Sequence, residues 1–173
     1  MASIIINAKL TGFAAQIPAL MERTASLKAI YQQHQNRIYN LAFYLTDNEM
    51  IAEELTSRVF LNTFAVNSTP SAENLDRALV NELRSVSPIG TLTLDEPISE
   101  ETANARKNVK RVVLERAVVE LPATERMIFM LHDVEGYDHS RISRTLDIST
   151  DESKHGLHQA RLAIRRAVSQ IKY

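Results

Sequence analysis

The chain has 173 residues, 45% of them hydrophobic, and a net charge of −1. That apolar share suits one domain or two small ones and is too high for a disordered chain. The absence of cysteine excludes disulfides and thiolate metal centres, and four glycines among abundant Ala, Leu, Arg and Glu point to helices.

The opening stretch, MASIIINAKLTGFAAQIPALM, has no apolar run longer than Ile4 to Ile6. It is too short and too interrupted for a membrane span or a signal peptide. Residues 1–23 are expected to form an arm that packs on its own protein. A helix is expected over about 24–45, because Leu27, Ile30, Tyr31, His34, Ile38, Leu41, Ala42 and Leu45 recur at three- and four-residue steps. Thr46-Asp-Asn-Glu49 has the form of a capping box, and a second helix to about Phe64 should turn Ile51, Ala52, Leu55, Val59 and Phe60 inward. Thr69-Pro70 reads as a cap plus a first helical residue, with a third helix to about Val86 on Leu75, Leu79 and Leu83.

SVSPIGTLTLDEPISEET contains two prolines, a glycine and no helical stripe, and is expected to be a linker. From Ser85 to Ala105 the charged residues are Asp95, Glu96, Glu100 and Glu101, all acidic. Beyond it, Val109, Val112, Val113 and Ala117 should line one helix. Leu121-Pro122 should start another, which ends near Gly136. A short helix holds Ile142 and Leu146, and Ser149-Thr-Asp-Glu152 is a second capping-box pattern. The last helix places Leu157, Ala160, Ile164, Val168 and Ile171 on one face. The fold class is therefore all-α: two small helical bundles, 24–86 and 106–173, joined by an acidic linker over 87–105.

RISRTLDISTDES brings two helices to a corner, with Ile148 plugging it and Ser149 capping the second helix. This is the form of a helix-turn-helix, whose second helix enters the DNA major groove by its N-terminal part. No acid lies beyond Glu152, and Lys154, His155, His158, Gln159, Arg161 and Arg165 fall wholly or partly off the apolar face. Such donors suit phosphates and base edges. On periodicity alone, a solvated basic face on a core helix fits as well.

LPATERMIFMLHDVEGYDHSRISRTLDISTDESKHGLHQAR resembles the C-terminal promoter-binding domain of extracytoplasmic-function (ECF) sigma factors. The resemblance rests on Leu121-Pro122, Glu125-Arg126, Phe129, Leu131, Val134-Glu135-Gly136, Ile142, Leu146, Ile148-Ser149, Lys154, Leu157-His158 and Ala160-Arg161. YQQHQNRIYNLAFYLTDNEMIAEELTSRVFLNTF is similar to the same family's core-polymerase-binding region, through Tyr31, Ile38, Tyr39, Leu41-Ala42, Ala52-Glu53-Glu54-Leu55 and Phe60. The resemblance implies a dissociable specificity subunit of bacterial RNA polymerase in the cytoplasm. Its implied partners are core RNA polymerase, promoter DNA and an anti-sigma factor, without membrane insertion. The first bundle would bind polymerase through Glu53, Glu54, Leu55 and Arg58 and read the −10 element; the second would read the −35 element.

Several residues depart from the family pattern. Ile51 stands where an acid is usual, and Ser57-Arg58 replaces a Gln-Glu pair. AVNSTPSAENLDRALVNELRSV has no aromatic residue to stack on an unstacked base, which leaves Arg77, Asn81 and Arg84 as its polar candidates for DNA contact. Asp147 replaces a frequent turn glycine; Asp tolerates the left-handed region better than most residues. Gly156 replaces an arginine within the reading helix, which would remove a contact and lower helix propensity by about 1 kcal/mol.

No catalytic residue, metal or cofactor is expected. His155 and His158 are spaced i, i+3, with His132 and His139 upstream, but no ordered third ligand accompanies them. His139 and Ser140 are adjacent, so on a helix they point apart, and there is no phosphate-cradling glycine loop. Two other readings use the same residues: a sigma mimic that binds an anti-sigma factor or polymerase without opening promoters, and a plain helix-turn-helix regulator. The opposite charges of strap and last helix further predict a compact free protein in which the strap screens that helix.

Overall fold

The computed structural model describes residues 2–94 and 111–170, with side chains from residue 20 onward. The strap acids Asp95, Glu96, Glu100 and Glu101, together with Val109 and Ile171, lie outside the described residues. Among the described residues, seven α-helices occur in order: α1 (Ala2–Thr46), α2 (Glu49–Val66), α3 (Ala72–Leu83), α4 (Arg111–Val119), α5 (Ala123–Phe129), α6 (His139–Leu146) and α7 (Thr150–Gln170). A π-helical turn, Met130–Val134, extends α5. The described residues contain no strand and no helix long and apolar enough to cross a membrane.

α1 begins at Ala2 rather than near Thr24. Leu20 and Met21 are exposed, so this end of the arm does not pack on the bundle as expected. The inward stripe of Ile38, Leu41, Ala42 and Leu45 is buried and ends at Thr46. The capping box expected at Thr46 is displaced. Asp47 takes φ 50°, and Asn48 becomes the cap, its Oδ1 accepting from the Ile51 N–H at 3.1 Å. Thr46 instead donates to the carbonyl of Ala42, closing the preceding helix.

α2 buries Ala52, Leu55, Val59 and Phe60, whereas Ile51 is turned outward. The cap of α3 is Ser71, in a reciprocal box with Asn74, two residues beyond the expected Thr69. Pro70 is buried just before it. Leu75, Leu79, Val80 and Leu83 then pack on α1 and α2 to complete the first bundle.

α4 turns Ala117 and Val118 inward, but Val112 is 74% exposed, contrary to the expected stripe. α7 packs on α4, α5 and α6. The described part of the linker lies on this second bundle. Ile89 is buried, and Leu92 and Leu94 pack against the core. The fully buried Glu125 accepts the backbone N–H of Thr93 at 2.5 Å and of Leu94 at 2.7 Å. Here a buried carboxyl group supplies the acceptors that an irregular, half-buried backbone lacks.

Leu92 also explains Gly156. A Cβ at that position would lie 2.6 Å from Ile128 Cδ1 and 2.7 Å from Leu92 Cδ2. The position faces inward rather than to the outer side of the helix, and the glycine admits the linker to the side of α7.

The two bundles touch through α1 with α4 and α5, and through α3 with α6. Arg126 donates to the carbonyls of Tyr44 and Leu45 at 2.9 and 3.3 Å, serving acceptors left open at the end of α1.

Candidate nucleic-acid interface

The corner between α6 and α7 is built by short-range polar chemistry. Asp138 caps α6 by accepting from the Arg141 N–H at 2.7 Å. Asp147 ends it in the left-handed region, φ 59° and ψ 49°. Ser149 Oγ accepts from the Glu152 N–H at 3.1 Å while Glu152 Oε2 accepts from the Ser149 N–H at 2.7 Å. The Ser149 N–H first, and then the Ser149 hydroxyl, hold the Glu152 carboxyl below its usual range. Ile142, Leu146, Leu157, Ala160 and Ile164 are buried beneath the corner, and Ile148 packs against them. His139 Nδ1 lies 3.0 Å from Ser153 Oγ, tying the helices together, and its ring stacks on His132 at 4.8 Å. Burial, then the neighbouring His132, Lys154 and Arg161, lowers the His139 pKa.

The outer stripe of α7 carries Lys154, His155, His158, Arg161 and Arg165, all exposed. Gln159 does not join them. It is only 8% exposed, with Oε1 lacking a hydrogen-bond partner, so the expected base-reading role is corrected: it points beside Ala160 into the bundle. At the 100° step between consecutive helical residues, position 159 falls about 60° from the buried Gly156, at the edge of the face that α7 turns to the bundle. Arg161 is outward but engaged, donating to Asp133 at 2.9 and 2.5 Å. Those bonds raise the Arg161 pKa and lower that of Asp133. The π-helical turn carries Asp133 to this position, and nothing in the sequence periodicity marks it. Lys154 lies 3.2 Å from Asp151, an exposed pair of little energetic weight.

A second polar site lies between α2 and α3. A cleft of about 320 Å³ is lined by Asn62, Asn67, Asn74, Arg77, Asn81 and Glu82, among others. It brings together the expected Arg77 and Asn81 and adds Asn62, Asn67 and Asn74, which were not among the expected residues. Asn74 and Asn81, seven residues apart on α3, are the signal that could have found them. Arg77 pairs with Glu73 at 3.1 Å. Arg84 is not in the cleft; its Nη2 donates to the Leu146 carbonyl of the second bundle at 2.8 Å.

On α2, Glu53 and Glu54 are exposed, and Arg58 lies 3.6 Å from Glu54 and 3.3 Å from Glu82. Leu55 is fully buried, so it is a core residue and cannot be the apolar anchor of a polymerase-binding patch. It falls one turn from Ala52 and Val59 on the inward stripe. The apolar groups beside the acids are Met50 and Leu61, 80% and 70% exposed.

Among the described residues, no group of three or more His, Cys, Asp or Glu could hold a metal ion. The family model described as "Sigma-70, region 4" matches residues 111–164, the segment holding α4 to α7 up to Ile164. Among solved structures, the chain is similar to one in the co-crystal structure of the sigma factor RpoE in complex with the anti-sigma factor NepR from Bartonella quintana. The TM-score is 0.62 at 13% identity, over 84% of this chain and 98% of that one.

Proposed function

We propose that this chain, which carries a sigma-70 region 4 domain on a fold of the ECF sigma-factor type, binds core RNA polymerase and directs it to specific promoters. The observation that carries this reading is the outer stripe of α7. A helix-turn-helix with a capped second helix presents Lys154, His155, His158, Arg161 and Arg165 along one exposed line. That line suits the major groove, with the residues near the N-terminus at base edges and those beyond at phosphates. Lys154 and His155 are the reading candidates. Arg165 is a phosphate ligand in this scheme, and Asp133 aims Arg161.

The first bundle contributes in two ways. Met50 and Leu61 with Glu53, Glu54 and Arg58 form a charged, partly apolar face suited to polymerase. The amides of Asn62, Asn74 and Asn81 offer donors and acceptors to an unstacked base, where stacking partners are absent from the cleft. An anti-sigma factor, as in the complex of the similar chain, is the third proposed partner. The absence of an aromatic residue in that cleft also favours a second reading, a sigma-like protein that binds polymerase or an anti-sigma factor without opening promoters.

Run-off transcription with core polymerase on promoters selected from genomic fragments separates the two. Promoter-dependent RNA is expected. Polymerase binding without RNA would replace the first reading by the second.

A further inference from the structure

One carboxylate joins the two bundles. Asp76 on α3 is 1% exposed. Its Oδ2 accepts from the Tyr137 hydroxyl at 2.8 Å and from Arg141 Nη2 at 3.0 Å, both from the second bundle. Arg37 on α1 approaches Oδ1 at 2.7 Å and donates to the Tyr137 oxygen at 2.8 Å. The Arg141 guanidinium lies 3.5 Å from the centre of the Tyr137 ring. Nearby, Arg144 of α6 lies 3.7 Å from Glu73, and Arg84 reaches the Leu146 carbonyl. Every one of these partners except Arg37 is on α3, on α6 or in the segments flanking them.

This junction is assembled from groups that have another use. The first helix of a helix-turn-helix crosses the DNA backbone, where arginines meet phosphates. Arg141 and Arg144 are the arginines of that helix, and in this conformation each faces an acid of the first bundle. Arg84, a DNA candidate of the first bundle, is likewise turned to a protein carbonyl. α7, in contrast, keeps its outer stripe exposed.

The junction is also imperfectly satisfied. Arg37 Nη2 and Arg141 Nε are buried without a hydrogen-bond partner, and the Arg37 contact to Oδ1 has ion-pair distance without hydrogen-bond geometry. Two guanidiniums share one buried carboxylate, with Glu135 at 3.8 Å from Arg37 as the next acid. Buried ion pairs gain little over their desolvation, and unmet donors recover hydration on opening. Such a contact can close without being permanent, unlike the apolar seat of Leu92 beside Gly156.

We propose that Asp76 and Glu73 form an autoinhibitory latch: they occupy the α6 arginines in place of DNA phosphates and hold the two bundles closed until nucleic acid competes for Arg141 and Arg144. The proposal rests on the reading of the second bundle as DNA-binding. It assigns Tyr137 to the latch rather than to the core.

The test uses the full chain. Because it lacks cysteine, Ala65→Cys and Gln170→Cys admit a pair of labels on the exposed surfaces of α2 and α7. Their separation is measured together with affinity for a mixed-sequence DNA duplex. Asp76→Asn should lengthen the separation and tighten duplex binding about tenfold, the scale of one charge-assisted hydrogen bond lost from the closed state. Tyr137→Phe, which leaves the charge unchanged, should shift both readings in the same direction by less. Glu22→Gln, an exposed change of equal charge, controls for altered net charge.

The latch is overturned if Tyr137→Phe moves neither reading and Asp76→Asn matches Glu22→Gln. It is equally overturned if the bundles separate with no gain in duplex affinity. Should Asp76→Asn fail to fold, Tyr137→Phe decides alone. Arg165→Ala in the same titration checks the DNA-binding role of α7 independently: unchanged affinity there defeats that reading while the separation still reports on the closed contact.

Discussion

The second bundle meets its linker and the α3 face of the first bundle through junctions of opposite character. At the linker junction, Leu92 lies against Ile128 and Gly156, and Glu125 receives two backbone N–H groups; every strong polar group named there has a partner. At the bundle junction, Asp76 gathers Arg37, Arg141 and Tyr137, and two guanidinium nitrogens are left unmet. Apolar contact backed by satisfied hydrogen bonds is insensitive to salt and costly to open. A charged contact with unmet donors is the kind that a polyanion can displace. The same C-terminal bundle is thus fastened firmly to its linker and, at Asp76, loosely to α3.

The most severe way to break the linker junction is Gly156→Arg, which places a long cation where there is no room even for a Cβ. A loss of roughly 3 kcal/mol in chemical unfolding of the full chain is expected, from overpacking and burial of charge together. An Arg variant as stable as the parent would mean that Leu92 does not seat beside α7.

Glu125→Ala should come next, at about 1–3 kcal/mol, because the N–H groups of Thr93 and Leu94 lose their acceptor. Amide hydrogen exchange at those two residues should accelerate in the variant. Equal protection would show that the carboxylate is not what holds the linker.

At the bundle junction the expected effects are smaller and depend on conditions. Tyr137→Phe should cost about 1 kcal/mol of stability near neutral pH. Burial, then the charge of Asp76, pushes the Tyr137 pKa from 10.0 up to about 12. For an acid whose folded pKa is raised, the neutral form is favoured by folding. Its contribution is therefore full below pH 10 and lost as pH rises toward 12. Asp76, Arg37 and Arg141 all act on that hydroxyl, and Glu135 faces Arg37 beside them. The gap in stability between parent and Phe variant should close over this range, and a gap that stayed constant would remove Tyr137 from the junction.

The smallest effects belong to α7. Arg165→Ala should weaken binding to all duplexes alike and lower the salt slope by about one unit. Gln159→Ala should leave duplex sequence preference unchanged, because the side chain is turned into the bundle. A changed preference in that variant would place Gln159 at a base edge after all.

Much of this architecture could be read from local pattern. The stripe of Ile38, Leu41, Ala42 and Leu45, the Ser149–Glu152 box and the Asp147 turn depend on residues within one helical turn or a few turns, so sequence alone determined them. The all-helical class and the cationic stripe of α7 come from the same periodicity. Where two starts were locally acceptable, backbone geometry chose between them: Asn48 rather than Thr46, Ser71 rather than Thr69. Leu55 was legible as inward from its spacing, and its expected role in polymerase contact conflicted with that spacing. What only the tertiary structure decided are the meetings of residues far apart in the chain. Asp76 finds Tyr137 and Arg141 61 and 65 residues away, Arg84 finds Leu146 at 62, and Gly156 makes room for Leu92. No periodicity encodes such pairs, because a buried carboxylate and an absent Cβ acquire meaning only from what the fold brings against them.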